Sequence, residues 1–204
     1  MHARYAVANI LLFVAGVVFT GAINADSTRK VRVDHLDFDH LPVIKLQQGQ
    51  HGDLEMEPAL RNLGQGLAPV YLYRLPEYAQ PRQLFLTTIV KRKKIFYPIV
   101  VLLTEDYKPV EVISRPVNLQ RVTQTEISSS MPIVVTPQHK YMLITTNPAY
   151  FGEQLSYKKL VTSMVREYDG MHVNYVPVTT GTREVNVVIA NSGRLALSVP
   201  DEDY

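Results

Sequence analysis

The chain contains no cysteine and no tryptophan. Without cysteine there is no disulfide, no thiolate metal site and no thiol nucleophile, so the fold rests on its core alone. Without tryptophan the largest stacking ring for sugars and cations is missing. Charge of one sign is lacking as well: 21 Lys and Arg stand against 19 Asp and Glu, which leaves no broad field to gather polyanions. Long helices are disfavoured, because 13 prolines are scattered along the chain and each breaks a helix interior. Catalytic motifs are missing too. No Gly-x-Ser-x-Gly elbow occurs, so Ser128, Ser129 and Ser130 read as loop serines. Gly64 and Gly66 lack the third glycine and the helix of a phosphate-cradling loop. No enzyme activity and no cofactor is expected.

What is present begins with an export signal. Residues 1–25 carry Arg4 and no acid, then an apolar stretch from Ile10 to Ile23, then small residues at Ala22 and Ala25. That stretch is short of the ~20 residues that a bilayer span needs, so it reads as a cleaved signal peptide that leaves no stable membrane anchor; the alternative is an uncleaved N-terminal anchor, since apolar character extends back to Ala6. The expected compartment is the periplasm. Residues 26–204 then suit a single domain, which at this size buries about 70% of its unfolded surface.

β-branched and aromatic residues dominate that domain, with turn residues at short intervals. Strands are predicted at Val70–Leu75, Leu84–Val90, Ile95–Leu103 and Val110–Ile113, with weaker ones at Val31–Val33 and His51–Met56. Ile133–Val135 and Tyr141–Thr146 are expected to pair around Thr136–Lys140. Val185–Ile189 and Leu195–Val199 are expected to form a terminal hairpin. Pro98 cannot donate within a ladder, which predicts a bulge or a change of sheet there. One segment departs from this rhythm. Tyr157, Leu160, Val161, Met164 and Val165 recur at helical spacing, and Ser156 can cap them, which predicts a helix over Glu153–Glu167. About nine strands and one helix in the C-terminal half make an all-β antiparallel sandwich the expected fold.

Three clusters bear on function. Lys91, Arg92, Lys93 and Lys94 lie between two strong strands and read as a solvated hairpin tip that keeps an apolar hairpin soluble. Nucleic acid is not expected as a partner, since that needs basic residues spread over a face. The run from Asp34 to His40 holds His and Asp, but no second cluster supplies further ligands, so no metal site is expected. Tyr71, Tyr73 and Tyr78 are the candidate ligand-binding residues, as a stacking platform for a sugar; their competing reading is strand residues packed in the sheet.

Four pieces, taken in order, carry a resemblance. They are FDHLP at Phe38–Pro42, YLYRLPEYAQPRQLFLTT at Tyr71–Thr88, FYPIVVLLTEDYKPV at Phe96–Val110 and MLITT at Met142–Thr146. With this order and spacing, residues from about 36 to 146 resemble the maltose operon periplasmic protein family. The resemblance implies a β-rich exported protein, tied through its operon to maltose and maltodextrin uptake, with no established catalytic residues. It makes a maltodextrin or another glycan the expected ligand, and an accessory role in carbohydrate uptake the expected function. The alternative is an envelope structural or protein-interaction module with no sugar ligand, working through an exposed sheet edge or the basic tip.

Overall fold

The computed structural model describes residue 33 and residues 36–200, apart from 55–57, 65, 116, 122–125 and 170–171. The segment expected as a signal peptide at 1–25 and most of the weak strand expected at Val31–Val33 lie outside the described residues. The fold is all-β, and the described residues form fourteen strands rather than about nine, with two short 3-10 turns among them at Phe38–His40 and Pro148–Tyr150.

The first sheet runs β1 (Val43–Lys45), β4 (Leu67–Arg74), β11 (Tyr141–Thr145), β7 (Ile99–Leu103), β8 (Pro109–Ser114), with β3 (Ala59–Asn62) paired to β4. The second runs β2 (His51–Asp53), β14 (Arg194–Ser198), β5 (Arg82–Ile89), β10 (Ile127–Val135), β9 (Gln120–Arg121). The third has three strands, β12 (Gln154–Asp169), β13 (His172–Ile189) and β6 (Lys94–Ile95). All neighbours are antiparallel except β1 with β4 and β13 with β6.

Alternation of side chains builds the sandwich. Tyr73 of β4, Val100 and Leu102 of β7, and Met142 and Ile144 of β11 meet Leu84 and Leu86 of β5, Met131, Ile133 and Val135 of β10, and Leu195 and Leu197 of β14 in one buried cluster. The opposite face of the first sheet is also covered. Ala68, Val70, Leu72, Val101, Leu103 and Leu143 pack there under Val33, Leu41 and Leu63. Burial on both faces explains why β7 and β11 are buried at every position and why IVVLL is an unbroken apolar run. Each large side chain so buried contributes roughly 1.5–3 kcal/mol.

Pro98 does mark a change of sheet: β6 before it belongs to the third sheet, and β7 after it to the first. The basic cluster is a tight turn but not the tip of a longer hairpin, because β5 before it pairs with β10 and β14 while β6 after it pairs with β13. Lys91 and Lys94 exchange N–H···O bonds of 2.9 Å in both directions, around Arg92 at φ 51° and Lys93 at φ 61°.

Three expectations are overturned. The segment expected as a helix over Glu153–Glu167 is strand β12, and Ser156 does not cap; its hydroxyl donates across the ladder to Asn186 Oδ1 at 2.7 Å. Short apolar runs satisfy both periods: Leu155, Tyr157, Val161 and Val165 fit alternation as well as a helical stripe. The strand β13, rich in Val and Thr, decides the matter by supplying a continuous partner. Ile133–Val135 and Tyr141–Thr146 do not pair either, because β10 and β11 lie in different sheets. The turn between them, closed by a His139 N–H bond to the Thr136 carbonyl of 2.9 Å, crosses from one layer to the other. Nor do the last two strands form a hairpin. β14 pairs with β5 and β2, while β13 pairs with β12 and β6. The link between them passes so close to Phe96 that only Gly193 fits.

Candidate interaction site: the β12–β13 arm

β12 and β13 have 16 and 18 residues. They pair from Gln154 with Val188 to Asp169 with His172. At about 3.3 Å per residue this ribbon extends roughly 50 Å. β12 contains neither proline nor glycine, so nothing interrupts its backbone. A bulge lies where Val161 faces Gly181 and Thr162 faces Thr179, leaving Thr180 as the extra residue. It sharpens the local twist.

The base of the ribbon is built into the body. Leu155, Val187 and Ile189 are buried with Ile95, Tyr97 and Leu119, and Tyr157, Tyr150 and Phe151 pack around them. β6 runs alongside β13, pairing Lys94 with Val188 and Ile95 with Ile189. The Val188 N–H donates to the Lys93 carbonyl at 2.9 Å, and the Ala190 N–H to the Ile95 carbonyl at 3.0 Å. The Tyr97 hydroxyl is pushed up from its usual range by burial, then by the neighbouring Tyr150 and Glu153, so the base carries no charge there at neutral pH.

Past the base, no third strand pairs with the ribbon among the described residues. Alternation nevertheless keeps Leu155, Tyr157, Val161 and Val165 on one face. Leu155 is 8% exposed, Val161 38% and Val165 42%, and Val178, opposite Ser163, is 41% exposed. That face of β12 therefore passes from buried to open along the arm, with valines at 161 and 165 and polar residues at 159 and 163 between and before them. On the other face Met164 is exposed as well.

The sequence-predicted ligand residues lie elsewhere. Tyr71 and Tyr73 do share a face, but that face is the interior of the sandwich. Tyr73 is 1% exposed, Tyr78 is also buried, and Tyr71 is half-buried with its ring edge-on to Phe96 at 6.1 Å. Burial pushes the hydroxyls of Tyr71 and Tyr73 up from their usual range, with Tyr71 adding to the effect on Tyr73. A second aromatic group is partly open, with Phe38 and Tyr107 half-buried and Tyr141 buried beneath them. Phe38 stacks on Tyr107 with centroids 4.8 Å apart and planes 3° from parallel, and Tyr107 leans on Tyr141 at 4.6 Å. Arg74 lies over the Tyr141 ring and is ion-paired with Glu105 at 3.7 Å. A hydrogen bond with Tyr141, helped by burial, raises the Tyr107 hydroxyl. Nothing in the local pattern around Phe38 or Tyr107 marks them, since they meet only through the tertiary fold.

Other polar features are self-satisfied. A surface depression of about 550 Å³ is lined by Asp53, Lys91, Glu126 and Arg194 among others. The Arg194 Nε donates to both Asp53 oxygens at 2.8 and 2.7 Å, and Glu126 lies 3.5 Å away. Two carboxylates already neutralise this guanidinium. In the Asp34–His40 run, His40 Nδ1 meets Asp37 Oδ2 at 2.6 Å across one exposed turn. Among the described residues no three of His, Asp and Glu converge on a common point. Lys91, Arg92, Lys93 and Lys94 are exposed at the base of the arm.

Compared with protein-family models, with curated proteins and with solved structures, the chain matches none.

Proposed function

We propose that the chain is a non-catalytic protein of the cell envelope that engages another protein along its β-arm. The observation that carries this is the apolar face that leaves the core at Leu155 and stays uncovered at Val161, Val165 and Val178. Soluble proteins shield long strand edges and apolar sheet faces, because both pair readily with other chains. Here the ribbon leaves its outer β12 edge unpaired among the described residues and its apolar side chains open at Val161, Val165 and Val178, and a ribbon of this kind is marginal without a partner. The export signal expected at residues 1–25 supports a periplasmic setting. A photo-crosslinking residue at Val161 or Val165, introduced in the producing cell, tests the reading. Discrete protein adducts are expected at both arm positions and not at Val134, which is equally open at 50% on the sandwich. Equal labelling at all three positions, or none, overturns it.

A second reading rests on the ring stack. Phe38 and Tyr107 form a partly open aromatic surface beside Asp39, Arg74 and Glu105, a chemistry suited to stacking on a glycan and to bonding its hydroxyls. It agrees with the resemblance to the maltose operon family. Titration calorimetry with maltose, maltotriose and longer maltodextrins is expected to give saturable heat that Phe38→Ala abolishes. No heat at millimolar sugar overturns it.

A further inference from the structure

We propose that the arm's partner is a second copy of this chain, joined by antiparallel pairing of the two β12 edges about a twofold axis at Ser163. This rests on the docking reading above and names its occupant.

The two edges of the ribbon are not equivalent. β6 covers the base of the β13 edge, and Pro177 lies within β13 with no N–H to offer a neighbour. β12 is the terminal strand of its sheet, and no described strand pairs with its outer edge. The direction of its free groups follows from the ladder. The Ile189 N–H donates to the Glu153 carbonyl at 2.9 Å, so odd-numbered residues turn their backbone groups toward β13. Alternation then turns the N–H and C=O of Ser156, Lys158, Leu160, Thr162 and Met164 outward. A twofold axis at Ser163 places even residues opposite even ones, Thr162 facing Met164 of the second copy, so every outward donor meets an outward acceptor.

The sequence of β12 is self-complementary in that register. Lys158 and Lys159 lie on one side of Ser163, and Arg166, Glu167 and Asp169 on the other, with Arg166 opposite the uncharged Leu160 of the second copy. Lys159 then stands opposite Glu167 of the second copy, Tyr157 opposite Asp169, and Val161 opposite Val165. No like charges are opposed. Shifting the axis one residue pair along, to Met164, sets Val161 against Glu167 and loses the apolar pair. Directly opposed unlike charges and β-branched pairs are the units that stabilise a sheet, and here the symmetry supplies each of them twice. The uncovered face of Val161 and Val165 becomes the face of a four-stranded ribbon, and two such faces of opposed copies are continuous across the axis.

The axis residue provides the test. The chain has no cysteine, so Ser163→Cys introduces a single thiol. Ser163 and its symmetry mate form a non-hydrogen-bonded antiparallel pair, with Cα atoms about 4.5 Å apart, within disulfide reach. The chain, expressed and purified with all 204 residues encoded, is expected to sediment as a dimer. Ser163→Cys is expected to convert to a covalent dimer under mild oxidation, while Val134→Cys stays monomeric on a non-reducing gel. Lys159→Glu is expected to weaken dimerisation about tenfold, from two opposed pairs turned repulsive, and Lys159→Glu with Glu167→Lys to restore it. That restoration cannot come from a folding defect. A monomer in sedimentation with no Ser163→Cys dimer overturns the proposal. If arm-specific adducts to a different protein persist in the cell, the docking function stands and only self-pairing falls; if those are absent too, both fall.

Discussion

The link between β13 and β14 decides whether the arm stays joined to the sandwich, and Gly193 is its tightest point. A Cβ at Gly193 meets the Phe96 backbone N at 2.7 Å, the Phe96 Cβ at 2.8 Å and the Phe96 Cα at 3.3 Å. Two of these three atoms are backbone, so no side-chain rotation relieves the contact. The Phe96 backbone has no room to retreat. Its carbonyl accepts the Thr88 hydroxyl at 2.7 Å, Ile95 before it is laddered to Ile189, and its ring is 1% exposed against Tyr71. Gly193→Ala is therefore an overpacking change at a rigid site, with an expected cost of about 2–3 kcal/mol. For a domain of this size each kcal/mol moves Tm by about 2–4 °C, so the melting midpoint should fall by about 4–12 °C. Gly181→Ala is the control, since a Cβ there meets nothing within 4 Å and the change should stay within about 0.5 kcal/mol. Calorimetric melts of the two variants beside the parent chain measure the difference. A Gly193→Ala midpoint indistinguishable from that of Gly181→Ala would refute the argument that this crossing is sterically closed.

Three further outcomes are expected. Tyr73→Phe should leave stability unchanged or raise it by up to about 1 kcal/mol in denaturant titration, because the buried Tyr73 hydroxyl finds no protein partner and its removal ends a desolvation cost. A loss of more than about 1 kcal/mol would contradict that. Replacing Arg92 and Lys93 by Asn-Gly should raise Tm, because both residues hold positive φ in the two-residue turn at roughly 1 kcal/mol each; an unchanged midpoint would show that the turn is unstrained. Acid should weaken the fold through His139. Its Nδ1 accepts the Thr136 N–H at 3.1 Å, and burial lowers its pKa below the ordinary 6.5, with Glu111 opposing weakly. The unfolded chain then binds the proton more readily, so this contribution is intact above neutrality and is lost as pH falls below about 6.5. The drop in urea midpoint between pH 7.5 and 5.0 should shrink in His139→Gln, and an equal drop in both proteins would remove His139 as the cause.

The particular elements show where local pattern suffices. The β class, the strands around Leu84–Val90 and Val110–Ile113, the tight turn at the basic cluster and the sheet change at Pro98 all follow from short-range chemistry. β-branching, turn residues and a missing N–H act within a few residues of one another. The arm did not follow, because Leu155 to Val165 satisfies both a period of 2 and a period of 3.6, and only the partner strand distinguishes them. Tyr71 and Tyr73 were legible as neighbours on one face. Whether that face was rim or interior depended on the second sheet lying over it. The Phe38–Tyr107–Tyr141 stack was not legible at all, since its rings come from three separated stretches of chain.

Taken by itself, the sequence determined composition-level limits and local conformation: no thiol chemistry, and a chain cut into strands by proline and turn residues. Tertiary structure alone decided which strands pair, which apolar face is covered and which is left open. The physical reason is that strand pairing and burial are contacts between distant residues, and a side chain's exposure is a property of whatever lies opposite it. Leu155 and Val161 belong to the same face of the same strand, yet one is sealed by Ile95 and Tyr97 and the other meets water.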